Sequence, residues 1–156
     1  MILVSACLAG IPCKYDGGHS RYPVVEALLK AGKAVAVCPE RLGGLSIPRP
    51  PAEISGGDGR LVLAGSAEVY DRIGNRVTDA FILGAEKCLE IARRENVRVG
   101  IMKNRSPSCG VSQIYDGSFS GNIIDGCGVA AALLMRHGIN LFSEESDIET
   151  IGEAIR

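Results

Sequence analysis

The sequence predicts an α/β fold: a single-domain three-layer sandwich with a mostly parallel sheet and a small β-hairpin insertion. Three observations lead there. Short apolar runs alternate with helical segments along the chain, and that order implies a parallel sheet covered on both faces. Each run empties into a loop rich in Gly, Pro, Ser or Asp, as the carboxyl ends of such strands do. The 156 residues are 46% hydrophobic, enough for one domain, 1–156, with a core of its own.

The elements follow in order. Met1–Ala6 reads as a buried strand centred on Leu3 and Val4, and 10–20 as a turn-rich loop. Arg21–Ala31 predicts a helix with Val24, Val25, Leu28 and Leu29 on its apolar face, stopped by Gly32. Lys33–Cys38 is a second strand. Pro39–Gly59 reads as a long loop, which in a compact domain is usually functional. Arg60–Tyr70 predicts the hairpin, with Gly65-Ser66 as its turn. Thr78 or Asp79 is placed to cap a helix running to about Glu95, with Phe81, Ala85, Cys88 and Ala92 on one face. Val97–Met102 is the third strand. A second long loop, 103–128, holds a short strand near Gln113–Tyr115. Val129–His137 predicts a helix ended by Gly138, Ile139–Phe142 a fourth strand, and Ser143 the cap of a last amphipathic helix. The whole order is Rossmann-like. One short echo stands out, Lys14-Tyr15-Asp16-Gly17 and Ile114-Tyr115-Asp116-Gly117, which reads as two turns.

Composition excludes several classes. No apolar run approaches the roughly 18 residues that span a bilayer, and the N-terminus carries no basic flank of a signal peptide. A cytoplasmic protein is expected. Net charge is −1 with dispersed basic residues, and aromatics are only 4%, so no nucleic-acid surface is expected. In a reducing compartment the six cysteines point to metal or catalysis rather than disulfides.

Their placement sharpens this. Cys7, Cys38 and Cys109 each follow a predicted strand, far apart in sequence. In an open parallel sheet those ends share one edge, where ligands bind. Three thiolates meeting there make a metal site with an open position, best suited to an iron–sulfur cluster, although zinc with three thiolates and water fits too. Cys88 belongs to a helix face and reads as core. Cys13 and Cys127 lie in loops and stay undecided. His19 and His137 lack metal-ligand spacing. Asp16, Glu40, Lys103, Ser106 and Ser108 crowd the same edge, where a carboxylate or hydroxyl beside a metal can move protons or bind a polar substrate.

Several motifs together carry a family resemblance. They are Val4-Ser5-Ala6-Cys7-Leu8 with Tyr15-Asp16-Gly17, then Cys38-Pro39-Glu40 with Gly43-Gly44-Leu45 and Pro48-Arg49-Pro50-Pro51-Ala52-Glu53, then Arg105-Ser106-Pro107-Ser108-Cys109-Gly110. Nearly the whole chain resembles family 523 of domains of unknown function, which includes the thiouracil desulfidases. The resemblance implies a [4Fe–4S] cluster held by Cys7, Cys38 and Cys109, its fourth iron free for a substrate's sulfur. It implies a non-redox desulfidase acting on a small thiolated heterocycle such as 2-thiouracil. Glu40, Ser106 and Asp16 are the candidates for acid/base roles, and Ser108, Lys103 and Arg49 for substrate contacts. The chain looks like the short form, without the extra C-terminal domain of the longer enzymes. A sulfur carrier or transferase, and a non-catalytic metal-binding or redox-sensing module, are the alternatives. The oligomeric state is not legible.

Overall fold

The computed structural model describes residues 1–156. The first third contains β1 (Ile2–Ser5), a 3₁₀ turn (Ala6–Ala9), α1 (Pro23–Lys30), β2 (Ala34–Val37) and α2 (Pro39–Leu42). Then come β3 (Ala52–Ser55), α3 (Gly59–Leu63), β4 (Glu68–Asp71), the long α4 (Thr78–Arg94) and β5 (Val99–Met102). The chain closes with β6 (Gln113–Tyr115), β7 (Ile123–Asp125), α5 (Val129–Arg136), β8 (Asn140–Ser143) and α6 (Ile148–Ile155).

Four strands form one sheet in the order β2-β1-β5-β8, every pair parallel. Successive side chains point to opposite faces, and the packing follows that alternation. Leu3, Val37, Met102 and Leu141 share a core with Phe81, Ala85 and Cys88 of α4 and Ala130 and Leu134 of α5. Ile2, Val4, Ala34 and Ile101 face the other way, with Val25 of α1 and Ile151 of α6. Burying each large aliphatic side chain is worth roughly 1.5–3 kcal/mol, so both faces hold the sheet. The three-layer α/β sandwich is as predicted. From β1 the chain steps to β2 on one side and later to β5 on the other, so the topological switch point lies at the carboxyl end of β1.

The hairpin is displaced from its predicted place. Arg60–Tyr70 is not a hairpin: Asp58 caps a helix there, its Oδ1 accepting the Arg60 N–H at 3.0 Å. The antiparallel pair is β3 with β4, which encloses α3. A run such as Leu61-Val62-Leu63 fits strand or helix by pattern, and the capping aspartate decides it. The loop predicted over Pro39–Gly59 accordingly contains α2 and β3. Thr78 is the first residue of α4 rather than its cap; its Oγ1 accepts the Val69 N–H at 2.9 Å and ties the helix to β4. Ser143 ends β8, paired with Met102, and Asp147 caps α6 by accepting the Thr150 N–H at 3.1 Å. The predicted strand at Gln113–Tyr115 exists and pairs with β7, which is too short and exposed to be read from sequence. No helix is long and apolar enough to cross a membrane.

Candidate active site at the carboxyl edge of the sheet

A cavity of about 540 Å³ opens at the carboxyl end of the parallel strands. Small-molecule sites usually measure roughly 300–1,000 Å³, so it has room for a compact cofactor and substrate. Cys7, Cys13, Cys38 and Cys109 all line it. Cys7 sits in the 3₁₀ turn after β1, its carbonyl taking the Ser20 N–H at 2.9 Å. Cys38 occupies the residue before α2, whose first position is Pro39, a residue preorganised for a helix start.

Cys109 is seated by two local devices. Ser106 Oγ accepts the N–H groups of Ser108 and Cys109 at 3.2 and 3.0 Å. The start of α5 then grips the same loop: Val129 N–H donates to the Pro107 carbonyl at 2.9 Å, and Ala131 N–H to that of Ser108 at 3.0 Å. These bonds satisfy helix-end donors that otherwise lack partners. Gly128 permits the approach, because a Cβ there would lie 2.5 Å from the Ser108 carbonyl carbon. Asn104 closes the far side of the loop, its Oδ1 accepting from Val111, Ser112 and Gln113 N–H at 3.3 to 3.4 Å.

Three polar side chains form a connected line beside the thiols. Ser108 donates its hydroxyl to Glu40 Oε2 at 3.0 Å. Its single proton is thereby used, so across the 3.0 Å contact between the two serines Ser106 is the donor. The other Glu40 oxygen accepts from Arg49 Nε at 3.0 Å.

Three of the cavity thiols, Cys13, Cys38 and Cys109, are shifted toward the protonated form. Burial pushes Cys109 up to about 12, and the neighbouring side chains of Ser5 and Ser108 pull the other way. The hydrogen bond with Cys13, followed by burial, drives Cys38 far above its ordinary range. For Cys13 the contact with Cys38 pulls downward, but the contact with Cys7 and burial outweigh it and leave the thiol at about 11. Metal binding must therefore displace protons.

The donor set fits a cluster better than one ion. Thiolates sharing one zinc stand roughly 3.8 Å apart, given Zn–S bonds near 2.3 Å. No group of three His, Cys, Asp or Glu side chains is set to hold a single metal ion here. An iron–sulfur cluster spreads its protein ligands over separate irons, which suits soft donors arriving from three strand ends.

The sequence-predicted residues divide clearly. Glu40, Ser106, Ser108, Lys103 and Arg49 line the cavity with the three cysteines. Lys103 pairs with Glu144 at 2.8 Å. Asp16 does not reach it: the residue is exposed and its Oδ1 accepts the Gly18 N–H at 2.9 Å in a turn. Cys88 is wholly buried on α4 and outside the cavity. Of the two undecided cysteines, Cys13 is in the cavity, and Cys127 is buried against Asp58 away from it. Sequence reasoning missed Tyr15, Glu53, Arg72, Tyr115 and Phe119 as lining residues. A signal existed for two of them. Both aspartates of the echo make turns, accepting from Gly18 and Ser118 N–H at 2.9 Å, and both tyrosines face the cavity.

Comparison with known proteins bears on the fold and the family. Uncharacterized protein YbbK of Bacillus subtilis (strain 168) is 49% identical over 144 residues, covering 92% of this chain and 95% of its own. The solved structure of TudS, described as a [4Fe-4S]-dependent thiouracil desulfidase (DUF523Vcz), is 40% identical with a TM-score of 0.85, over 99% of this chain and 96% of that one. The sequence model of the 2-thiouracil desulfurase family matches residues 2–146, and the chain belongs to that family.

Proposed function

We propose that the protein is a [4Fe–4S]-dependent desulfidase that converts the thiocarbonyl of a small heterocycle such as 2-thiouracil to a carbonyl. The observation that carries the reading is the convergence of Cys7, Cys38, Cys109 and the Ser106–Ser108–Glu40 line in one cavity. Cys7, Cys38 and Cys109 would hold the cluster. When bound, it supplies an open iron that attracts and polarises the substrate's sulfur.

The remaining chemistry falls to the chain. Water replaces sulfur at the ring carbon, sulfide leaves, and no electrons are gained or lost. The oxygen of water needs to lose protons and the departing sulfur needs to gain them. Glu40 is the proton acceptor of the set, and Ser106 Oγ, the far end of the line, is a donor within it. Half-buried Lys103, held by Glu144, can face a polar group of the substrate. Tyr15, Tyr115 and Phe119 give the cavity apolar walls for a flat ring.

Anaerobic reconstitution with iron and sulfide, then incubation with 2-thiouracil, tests the reading. A protein with about four irons that releases sulfide and uracil is expected. Iron uptake without sulfide release would instead favour a metal-binding or redox-sensing module. Sulfide passing only to an added acceptor would favour a sulfur carrier.

A further inference from the structure

Arg49 reads from sequence as a substrate contact, but its guanidinium is already committed to the protein. Only 6% of its side chain is exposed. Nε donates to Glu40 Oε1 at 3.0 Å, Nη2 to the Cys13 carbonyl at 3.0 Å, and Nη1 to the Ser46 carbonyl at 3.1 Å. Its backbone N–H donates to the Tyr15 carbonyl at 2.8 Å. Arg49 therefore ties the Cys13–Tyr15 loop to the segment after α2, with Glu40 between them.

We infer that Arg49 is a positioning residue that acts through Glu40, fixing the carboxylate so that its second oxygen meets Ser108. This rests on the desulfidase reading above. The geometry shows why an arginine is needed. One oxygen of Glu40 is held by Arg49 and the other by Ser108, both at 3.0 Å, so the carboxylate plane is set from two sides. Without the guanidinium, the carboxylate is free to rotate about its side-chain bonds and leave Ser108. A planar fork can hold Glu40 and a loop carbonyl together, whereas an ammonium on a flexible stem holds one point at a time. Glu40 is only 14% exposed, so little water is available to replace the lost partner.

Four proteins test this: Arg49→Gln, Arg49→Lys, Glu40→Gln and the double variant Arg49→Gln/Glu40→Gln. Each is reconstituted anaerobically and its iron content, kcat and KM for 2-thiouracil are measured. Arg49→Gln is expected to keep its iron and its KM and to lose kcat by about 10- to 100-fold, the scale of a 1 Å misplacement. Arg49→Lys should recover part of that loss. The double variant should be no slower than Glu40→Gln alone, because a residue acting only through Glu40 has nothing left to position. A crystal structure of metal-free Arg49→Gln should show Glu40 withdrawn from Ser108, with the cysteines in place. A raised KM with intact kcat would overturn the inference in favour of direct substrate binding. So would additive losses in the double variant. If Arg49→Gln loses iron or fails to fold, the Lys variant decides: full loss of iron there too means that Arg49 serves the loop and not Glu40. Failure of the wild-type protein to release sulfide would instead sink the desulfidase reading itself.

Discussion

The seat of α2 on α4 yields a prediction whose size can be worked from distances. Gly43 and Gly84 lie where the two helices touch, and each leaves room for the other's carbonyl neighbour. A Cβ on Gly84 would stand 1.9 Å from the Pro39 carbonyl oxygen, whereas real Cβ contacts under 3.0 Å are essentially never seen. Gly84→Ala therefore forces Pro39 and α4 apart by at least about 1.1 Å. Pro39 lies between Cys38 and Glu40, so the shift passes to a ligand candidate and to the carboxylate at once. The 3.0 Å bond from Ser108 to Glu40 would stretch to about 4 Å, beyond hydrogen-bond range. Overpacking costs about 1–3 kcal/mol, while alanine in a helix gains about 1 over glycine. The clashing atoms are backbone and cannot swing aside, so the cost lies at the upper end and the net loss of stability is about 2 kcal/mol, or about 4–8 °C in melting temperature for a chain of this size. Activity should fall far more, by about 100-fold. Sulfide release, iron content and a thermal melt measure all three quantities. Gly152→Ala on α6 is the control, since its nearest neighbour to an added Cβ is the tip of Arg156 at 3.9 Å. That variant should match or exceed the parent in stability and keep full activity. Wild-type turnover in Gly84→Ala would refute the idea that this contact sets the site.

Other outcomes follow from the same geometry. Changing Cys7, Cys38 or Cys109 to Ala should abolish iron binding, while Cys88→Ala should keep it and cost about 1–2 kcal/mol of stability as a small core void; iron loss in Cys88→Ala alone would contradict the ligand assignment. Asp16→Asn should keep activity within about twofold, because an asparagine oxygen can accept the Gly18 N–H in the same turn. The metal-free protein should weaken at alkaline pH. Burial, then the charge of Asp58, raises Cys127 from an ordinary 9.0 to about 11, so the folded state keeps a proton that the unfolded chain releases. That contribution is complete below about pH 9 and is lost as pH rises through about 11. It amounts to about 3 kcal/mol at most. Melting curves of Cys127→Ala should fall less steeply across that window, and an unchanged slope would count against the assignment.

The parallel sheet and its functional edge were legible because they rest on patterns within single segments. Four short apolar runs, each followed by a loop, suffice to bring Cys7, Cys38 and Cys109 to one side of the molecule. Cys88 was separable for the same reason, since its spacing from Phe81, Ala85 and Ala92 marks a buried helix face. The hairpin was misplaced because Leu61-Val62-Leu63 is too short for periodicity to decide, and the capping role of Asp58 outweighs it. Ser143 was misread because an acidic turn after a serine imitates a helix start. Its two glutamates instead reach across to Lys103 and Arg105.

The line that would carry protons was legible only as a set of candidates, and the reason is one of range. Ser108 and Glu40 lie 68 positions apart, and nothing in the spacing of either segment anticipates the other. Their bond depends on two glycine contacts in other elements: Gly84 lets α2 settle on α4, and Gly128 lets the Ser108 loop settle on α5. The two helices in turn pack against each other on the same face of the sheet. Arg49 shows the same limit from another side. Its neighbours in sequence suggest a loop cation free to meet a ligand, and only the fold shows each of its three nitrogens bonded to the protein, at Glu40, Cys13 and Ser46. The cysteines need only be delivered to an edge, which strand order accomplishes. The polar groups must be held to within about 1 Å, and that accuracy comes from close contacts between helices and loops distant in the chain.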